Sequence, residues 1–363
     1  MAKVKLGNVC KIMSGSTPKT KNEEFWDGDI DWITPAELNE DTYIITESKR
    51  KITQLGVDET GLKPLPKGTV ILSSRAPIGK VAIAGKQLYC NQGFKNFICS
   101  QQIENTYLYW FLKSKNEYLN SLGRGATFKE ISKNIVENIE IELPEINEQK
   151  LKAKKLRKCW CLISLKKAQL AKLDELVKSR FVEMFGDLTH GDKVTAKKHK
   201  IGELAEVTKL AGFEFTKYIK YQDAGEIIML RGLNCKRGKL VLDNVKYIDR
   251  ETSLKLSRSR LYKGDILMTY AGTVGDVAIV DEDDKYHLAP NVAKISIVQK
   301  ALANPLFLVH LFMYSNDYIM TFASQVAQAS INMQKIRDFE YFIPSKAEQD
   351  KFAAFVLATD KSK

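Results

Sequence analysis

The 363-residue sequence lacks most of the signatures that mark catalysts, secreted proteins and membrane proteins. A phosphate-binding P-loop needs Gly-Lys followed by Ser or Thr, and the Gly-Lys pairs here run into Val81, Gln87 and Leu240. No GxGxxG is present, so nothing marks a dinucleotide site. None of the nine prolines is adjacent to another, which removes the Asn-Pro-Pro-aromatic loop of an adenine amino-methyltransferase. His190, His199, His287 and His310 are scattered and have no Cys or carboxylate neighbours at ligand spacing. Asp27, Asp29 and Asp31 resemble part of a calcium loop but lack its terminal Glu in register. The six cysteines, Cys10, Cys90, Cys99, Cys159, Cys161 and Cys235, form no CxxC pair, and we read them as reduced thiols of a cytosolic protein. The longest apolar runs, 160–165 and 353–358, fall far short of a membrane span, and MAKVKLGN contains no apolar signal segment. Neither catalysis by this chain alone, nor a metal, nor a membrane role is expected.

What is present is positive charge, a repeat and one long amphipathic stretch. The formal charge is +12 and the pI about 9.2, which fits a polyanionic partner, most simply nucleic acid, though a bland surface could carry as much. The segment LPKGTVILSSRAPIGKVAIAG (65–85) aligns without a gap to LYKGDILMTYAGTVGDVAIVD (261–281). KVKLGNVCKI (3–12) matches KHKIGELAEV (198–207), and ISKNIVENIEIELPEINEQ (131–149) matches INMQKIRDFEYFIPSKAEQ (331–349). Three colinear matches, with an offset drifting only from 195 to 200, indicate one duplicated domain. Each copy reads as α+β. Strands are expected over 70–73, 81–84, 266–270 and 277–280, with helices over 107–122 and 306–322 and a closing strand at 139–143 or 339–343. Gly79 and Gly275 are expected to permit the tight turn between the paired strands.

Residues 145–187 form the long stretch. Leu156, Ile163, Leu170, Val177 and Met184 fall seven apart, giving an a/d seam over about four to five heptads, so the helix should run roughly 60 Å and need a partner helix. After the second copy, Phe352, Phe355 and Val356 begin a similar but shorter pattern. The expected division is therefore 1–144, a first domain; 145–187, a spacer helix; 188–200, a linker; 201–344, a second domain; and 345–363, a second spacer helix, apparently short.

Two diverged α+β copies, each closed by a Pro-x-x-x-Glu-Gln step into a heptad helix, resemble the specificity subunits of type I restriction–modification enzymes. GATFKEIS (125–132), QASINMQKI (328–336), LPEINEQ (143–149) and KSRFVEMFGD (178–187) carry the resemblance, which covers essentially the whole chain. It implies two tandem, pseudo-symmetric target recognition domains joined by long coiled-coil helices, each domain reading one half of an asymmetric, bipartite double-stranded DNA site. It also implies a non-catalytic, cytoplasmic subunit that docks two methyltransferase (modification) subunits and joins restriction/translocase subunits. S-adenosylmethionine, and ATP with Mg for restriction, would be used by those partners. The short second helix leaves two other arrangements open: a homodimer through the exposed first helix, and a truncated decoy that binds modification subunits without directing methylation.

If DNA is the ligand, Lys and Arg should meet phosphates, while Arg, Asn, Gln, Ser or Thr should meet base edges. In the first copy the candidates are Ser14, Thr17, Lys19, Ser74, Arg75, Lys80, Asn91, Gln92, Lys95, Arg124 and Thr127. In the second they are Lys217, Arg231, Tyr270, Thr273, Asn291, Lys294, Gln325 and Gln328. Each taken singly is more readily a solvated loop residue. Arg75 and Tyr270 stand out because they share a turn in the two copies and differ in chemistry.

Overall fold

The structure is a computed structural model that describes residues 3–125, 129–191, 193, 196–324 and 329–362. It separates into two compact units, Met1–Lys166 and Lys167–Lys363, with the division falling inside one 40-residue helix, Ile146–Phe185. Gly186, at φ +64°, follows that helix in the left-handed conformation that glycine adopts most readily.

In the first unit, Val70–Ser73 and Val81–Ala84 pair as antiparallel strands around the RAPIGK turn. They lie within a five-stranded sheet ordered Cys10–Ser14, Phe94–Cys99, Val70–Ser73, Val81–Ala84, Ile44–Ile45. The two faces of this sheet feed two cores. Val70, Leu72, Val81, Ile83 and Phe97 pack on Leu108, Tyr109 and Leu112 of helix Asn105–Ser114. Ile71, Ala82, Ala84 and Phe94 pack on Ile33 and Leu88. A second sheet, Lys51–Ile52, Trp26–Ile33, Tyr89–Cys90, contains a parallel pair, Ile33 against Cys90. Asp31, one of the three acids with calcium-loop spacing, is spent within the fold: it binds the Lys86 ammonium at 2.6 Å and the Ser48 backbone N–H at 2.8 Å.

The second unit repeats this plan. Ala205–Lys209, Val292–Ile297, Ile266–Thr269 and Val277–Ile279 form the main sheet, and Lys246–Ile248, Ile227–Leu230 and Tyr286–Leu288 the second, with Leu230 parallel to Leu288. Its core takes Val177, Phe181 and Phe185 from the long helix together with Phe307, Phe312 and Phe352.

Three expectations need correction. The helices expected over 107–122 and 306–322 are each two: Asn105–Ser114 with Asn116–Leu122, and Pro305–Tyr314 with Asn316–Thr321. The break has a purpose visible in both copies. A Cβ on Gly79 would lie 2.1 Å from Asn116 Oδ1, and one on Gly275 would lie 2.1 Å from Asn316 Oδ1, so the residue after each break fills the space that the turn glycine leaves. Second, Lys197–Lys200, expected within the linker, is a strand paired with Glu340–Ile343, as Lys3–Lys5 is paired with Glu140–Glu142. Ion pairs Lys198–Glu340 at 2.9 Å and Lys200–Asp338 at 3.5 Å accompany it. Third, the heptad seam does not describe the buried face of the long helix. Leu156, Ile163 and Leu170 are 46%, 56% and 38% exposed. Burial instead follows steps of four, through Gln149 and Ala153 at one end and Val177, Phe181 and Phe185 at the other. Each end faces its own unit at the 3.6-residue period of a straight helix. Val177 and Met184 do meet Phe352, Phe355 and Val356, inside the second unit's core.

The Pro-x-x-x-Glu-Gln step has a physical origin. Gln149 is fully buried; its Oε1 accepts from Glu104 N at 2.9 Å, and its Nε2 donates to the carbonyls of Gln102 at 2.9 Å and Pro144 at 2.8 Å. Gln349 makes the same three bonds, to Asn304 N, Leu302 O and Pro344 O. Each amide thus ties the start of a terminal helix to the loop before the preceding core helix.

Candidate nucleic-acid interface

In the first unit four chain segments converge at one end of the main sheet. Ser14 closes the edge strand opposite Lys95. The chain beyond it is held by Ser16 N donating to Cys90 O at 3.0 Å and by the Thr17 hydroxyl on Gln92 Oε1. Ser74 N donates to Gly93 O at 2.8 Å, and Ile131 N donates to Ser74 O at 3.0 Å, so the 74–80 turn is laced to both neighbouring loops. Arg124 and Glu130 exchange backbone hydrogen bonds of 3.0 and 2.9 Å, and Glu130 also bridges to Arg75.

The charges at this end are arranged around Glu130. Lys95 is only 5% exposed, and its ammonium lies 3.2 Å from Glu130 Oε1 and 3.3 Å from the Ser74 hydroxyl. A buried ammonium needs such partners. The Arg75 guanidinium is 4.0 Å from the other Glu130 oxygen and about one-third exposed. Lys80 donates to Pro35 O at 3.2 Å, and Asn91 Oδ1 accepts from Gly93 N at 2.9 Å. Lys19 is exposed, and its carbonyl accepts from the Trp26 indole at 3.4 Å. Of the first-unit candidates, then, Ser14, Thr17, Ser74, Arg75, Asn91, Gln92, Lys95 and Arg124 are brought together by direct bonds or strand pairing. Lys80 and Asn91 have structural duties, and Thr127 lies outside the described residues.

The second unit builds the same end with other side chains. Tyr270 N donates to Asn291 O at 3.0 Å, and Ile331 N to Tyr270 O at 2.8 Å, repeating the two bonds made by Ser74. Ala271 bridges to Ser330 as Arg75 does to Glu130. Tyr270 is therefore the counterpart of Ser74, and Arg75 corresponds to Ala271, as the gapless alignment of 65–85 with 261–281 pairs them; Arg75 and Tyr270 share the turn at adjacent positions. Lys95 pairs opposite Leu72 and Ala293 opposite Met268, which makes Ala293 the equivalent of Lys95 and Lys294 that of Asn96. A shift of one on a strand reverses the face. Lys294 accordingly turns into the fold, donating to the carbonyls of Arg258 at 2.9 Å and Arg260 at 3.0 Å. Burial pulls its ammonium below the ordinary lysine value, against the opposing pull of Asp265 and Glu206.

Arg231 is also committed: its guanidinium donates to the Asn244 carbonyl at 2.9 Å and side chain at 3.0 Å. Thr273 is exposed, and its carbonyl accepts from the Thr269 hydroxyl. Lys217 sits apart on helix Gly212–Tyr218, 5.2 Å from the Tyr218 ring. Asn291 takes the left-handed conformation at φ +67°. Gln325 and Gln328 lie outside the described residues. Sequence reasoning passed over Glu130 because an acid was not expected on a surface chosen for polyanions. It also passed over Lys209, the exposed counterpart of Ser14, whose ammonium lies 5.5 Å from the Tyr270 ring.

Two copies of one α+β module, presenting hydroxyl, amide and cationic side chains at matching strand ends, define a tandem-duplicated recognition scaffold. The profile of the type I restriction modification DNA specificity domain matches it twice, over residues 1–175 and 193–362, and the chain belongs to that family. The type I restriction enzyme MjaIX specificity subunit of Methanocaldococcus jannaschii is 41% identical over 186 residues, covering 50% of this chain and 43% of that protein. The EcoBI specificity subunit of Escherichia coli is 25% identical over 317 residues, covering 78% and 66%. The chain thus spans less than two thirds of the length of these curated relatives. Among solved structures, the type I restriction-modification S subunit from M. genitalium aligns with a TM-score of 0.58 at 15% identity, over 99% of this chain and 89% of that one. A chain from a structure describing complex assembly and conformational transition of the type I R-M system aligns at 0.54, also at 15% identity, over 99% and 90%. These likenesses establish the shared fold.

Proposed function

We propose that this chain is the DNA sequence-specificity subunit of a type I restriction–modification enzyme, each unit reading one half of an asymmetric bipartite site. One observation carries the reading. At equivalent positions the backbone bonds are the same while the side chains differ: Ser74 and Tyr270, Arg75 and Ala271, Lys95 and Ala293, Glu130 and Ser330. A constant frame with exchanged donors and acceptors is what two different half-sites require, since base edges are told apart by donor and acceptor pattern. The cationic excess would supply phosphate affinity without sequence preference.

The chain itself performs no bond-making step in this reading. It would hold two methyltransferase subunits, which transfer a methyl group from S-adenosylmethionine to adenine N6, and restriction/translocase subunits that use ATP with Mg. A cytoplasmic location follows from that substrate, and no helix among the described residues is long and apolar enough to cross a membrane. The exposed stretch of the long helix, with Leu156, Ile163 and Leu170, is available to such partners or to a second copy of the chain.

Two measurements test this. Binding to duplex DNA should fall by about 10³-fold or more between roughly 50 and 200 mM salt if about six phosphates are met, whereas a flat response contradicts a DNA role. Reconstitution with cognate modification subunits should methylate DNA at a bipartite site. An assembled complex that methylates nothing would favour the decoy instead.

A further inference from the structure

Cys10 and Cys99 stand directly opposite each other on neighbouring antiparallel strands of the first unit. The adjacent pair, Val9 and Ser100, is joined by a hydrogen bond from Ser100 N to Val9 O of 3.0 Å. Hydrogen-bonded and non-hydrogen-bonded pairs alternate along an antiparallel ladder, so Cys10 and Cys99 occupy a non-hydrogen-bonded pair, the position with the closer side chains. Cβ atoms there lie about 4.5–5.5 Å apart, and a disulfide needs about 3.5–4.5 Å with Cα atoms about 4.4–6.8 Å apart. A small approach of two strands at the sheet edge closes that gap. The neighbouring Cys99 thiol, and then burial, raise the Cys10 pKa. Cys10 is 6% exposed and lines a cleft of about 530 Å³ with Gly7, Lys11, Lys133 and Glu137, while Cys99 is half-buried. Both are free thiols. The second unit has Ala205 opposite Ile297 at the same place and so lacks the pair.

We propose that Cys10 and Cys99 are a reversible oxidation site, which hydrogen peroxide or another small peroxide converts to a cross-strand disulfide in the first unit only. The Cys99 thiolate attacks a peroxide oxygen; an S–O bond forms, the O–O bond breaks, and hydroxide leaves and takes up the thiol proton as water. Cys10 sulfur then attacks the Cys99 sulfenic sulfur. The S–S bond forms, the S–O bond breaks, and the second water leaves with the Cys10 proton. Two thiols are oxidised and one peroxide is reduced to two waters; a dithiol reverses the step by exchange. The bond ties the edge strand leading into Ser14 to the strand bearing Lys95, so the covalent link lies within the frame of the proposed reading edge.

The test uses the full chain, treated with hydrogen peroxide, blocked with iodoacetamide and digested without reductant. The expected product is a Cys10–Cys99 linked peptide, lighter by two hydrogens than the sum of its parts and released by dithiothreitol. All four tryptophans, Trp26, Trp32, Trp110 and Trp160, lie in the first unit, so the midpoint of thermal unfolding followed by their fluorescence should rise by about 5 °C or more. The double variant Cys10→Ala, Cys99→Ile carries the second unit's residues; it should show neither the cross-link nor the shift. Cys10 recovered fully alkylated after peroxide, Cys99 recovered as sulfinic acid beside a free Cys10, or a cross-link that lowers the midpoint would each overturn the proposal.

Discussion

The two units differ least where the chain is bonded to itself and most where it ends in side chains. Gln149 and Gln349 make the same three hydrogen bonds, and Gly79 and Gly275 leave the same space for Asn116 and Asn316. Yet the strand-end pair that in one unit is Ser74 and Arg75 is Tyr270 and Ala271 in the other. Duplication has kept the frame and released the edge. That separation is what a protein needs when one scaffold must carry two preferences.

The comparison can be broken most forcefully at the buried glutamines. Gln149→Leu leaves two carbonyls and an N–H without partners and should cost about 3 kcal/mol or more. Because the tryptophans all lie in the first unit, this change should move the fluorescence unfolding transition, while Gln349→Leu moves only the tryptophan-silent transition seen by circular dichroism. Equal fluorescence shifts from both would contradict two separate units. Next come the turn glycines, at φ +98° and +91°. Gly79→Ala and Gly275→Ala should each cost about 1–3 kcal/mol, since a Cβ is strained there and displaces an asparagine. Restoring room with Asn116→Gly should recover part of the loss in the first unit alone.

A smaller effect separates the units by pH. His287 stands in the strand position that Tyr89 fills in the first unit, and it is fully buried. Burial lowers its pKa below the ordinary 6.5, with the Leu288 carbonyl pulling the other way. The unfolded chain then binds a proton that the native state resists. Native stability is therefore intact above about pH 6.5 and declines below it, by at most about 1.4 kcal/mol per pH unit, levelling off once the folded pKa is passed. His287→Tyr should flatten that decline in the second unit. The smallest effect concerns the acid at the edge. Glu130→Gln should raise affinity for random-sequence duplex at low salt by about 3–10-fold by freeing Arg75 from its carboxylate, and Ser330→Glu should lower it. Loss of the Glu130 effect in an Arg75→Ala background would assign it to that pair.

Much of the frame was legible in sequence because it is local. β-branched runs around a glycine turn announced strands Val70–Ser73 and Val81–Ala84, and the Glu-Gln step announced the terminal helices. What escaped was non-local or lay beyond the gapless stretch. Lys197–Lys200 reads as a polar linker because a two-stranded pairing with residues about 140 positions away leaves no pattern in KKHK. That Ala293 stands where Lys95 does was not legible, because the second unit's chain before its matching strand is two residues longer, moving the offset from 196 at Val70 and Ile266 to 198 at Phe94 and Val292. The heptad seam was a true spacing, but burial at either end is set by the unit beside it. At the candidate interface, residue type was readable and direction was not: Arg231 and Lys294 have the right chemistry and are turned onto carbonyls of their own unit.

The most direct test of the central claim replaces Ser74-Arg75 with Tyr-Ala, the residues of the second unit, and maps methylated adenines across a genome in cells that also make the cognate modification subunits. One half of the bipartite site should change, with the other half and the spacing between them preserved. Methylation altered in both halves, or in neither, would contradict a division of the reading between two like units.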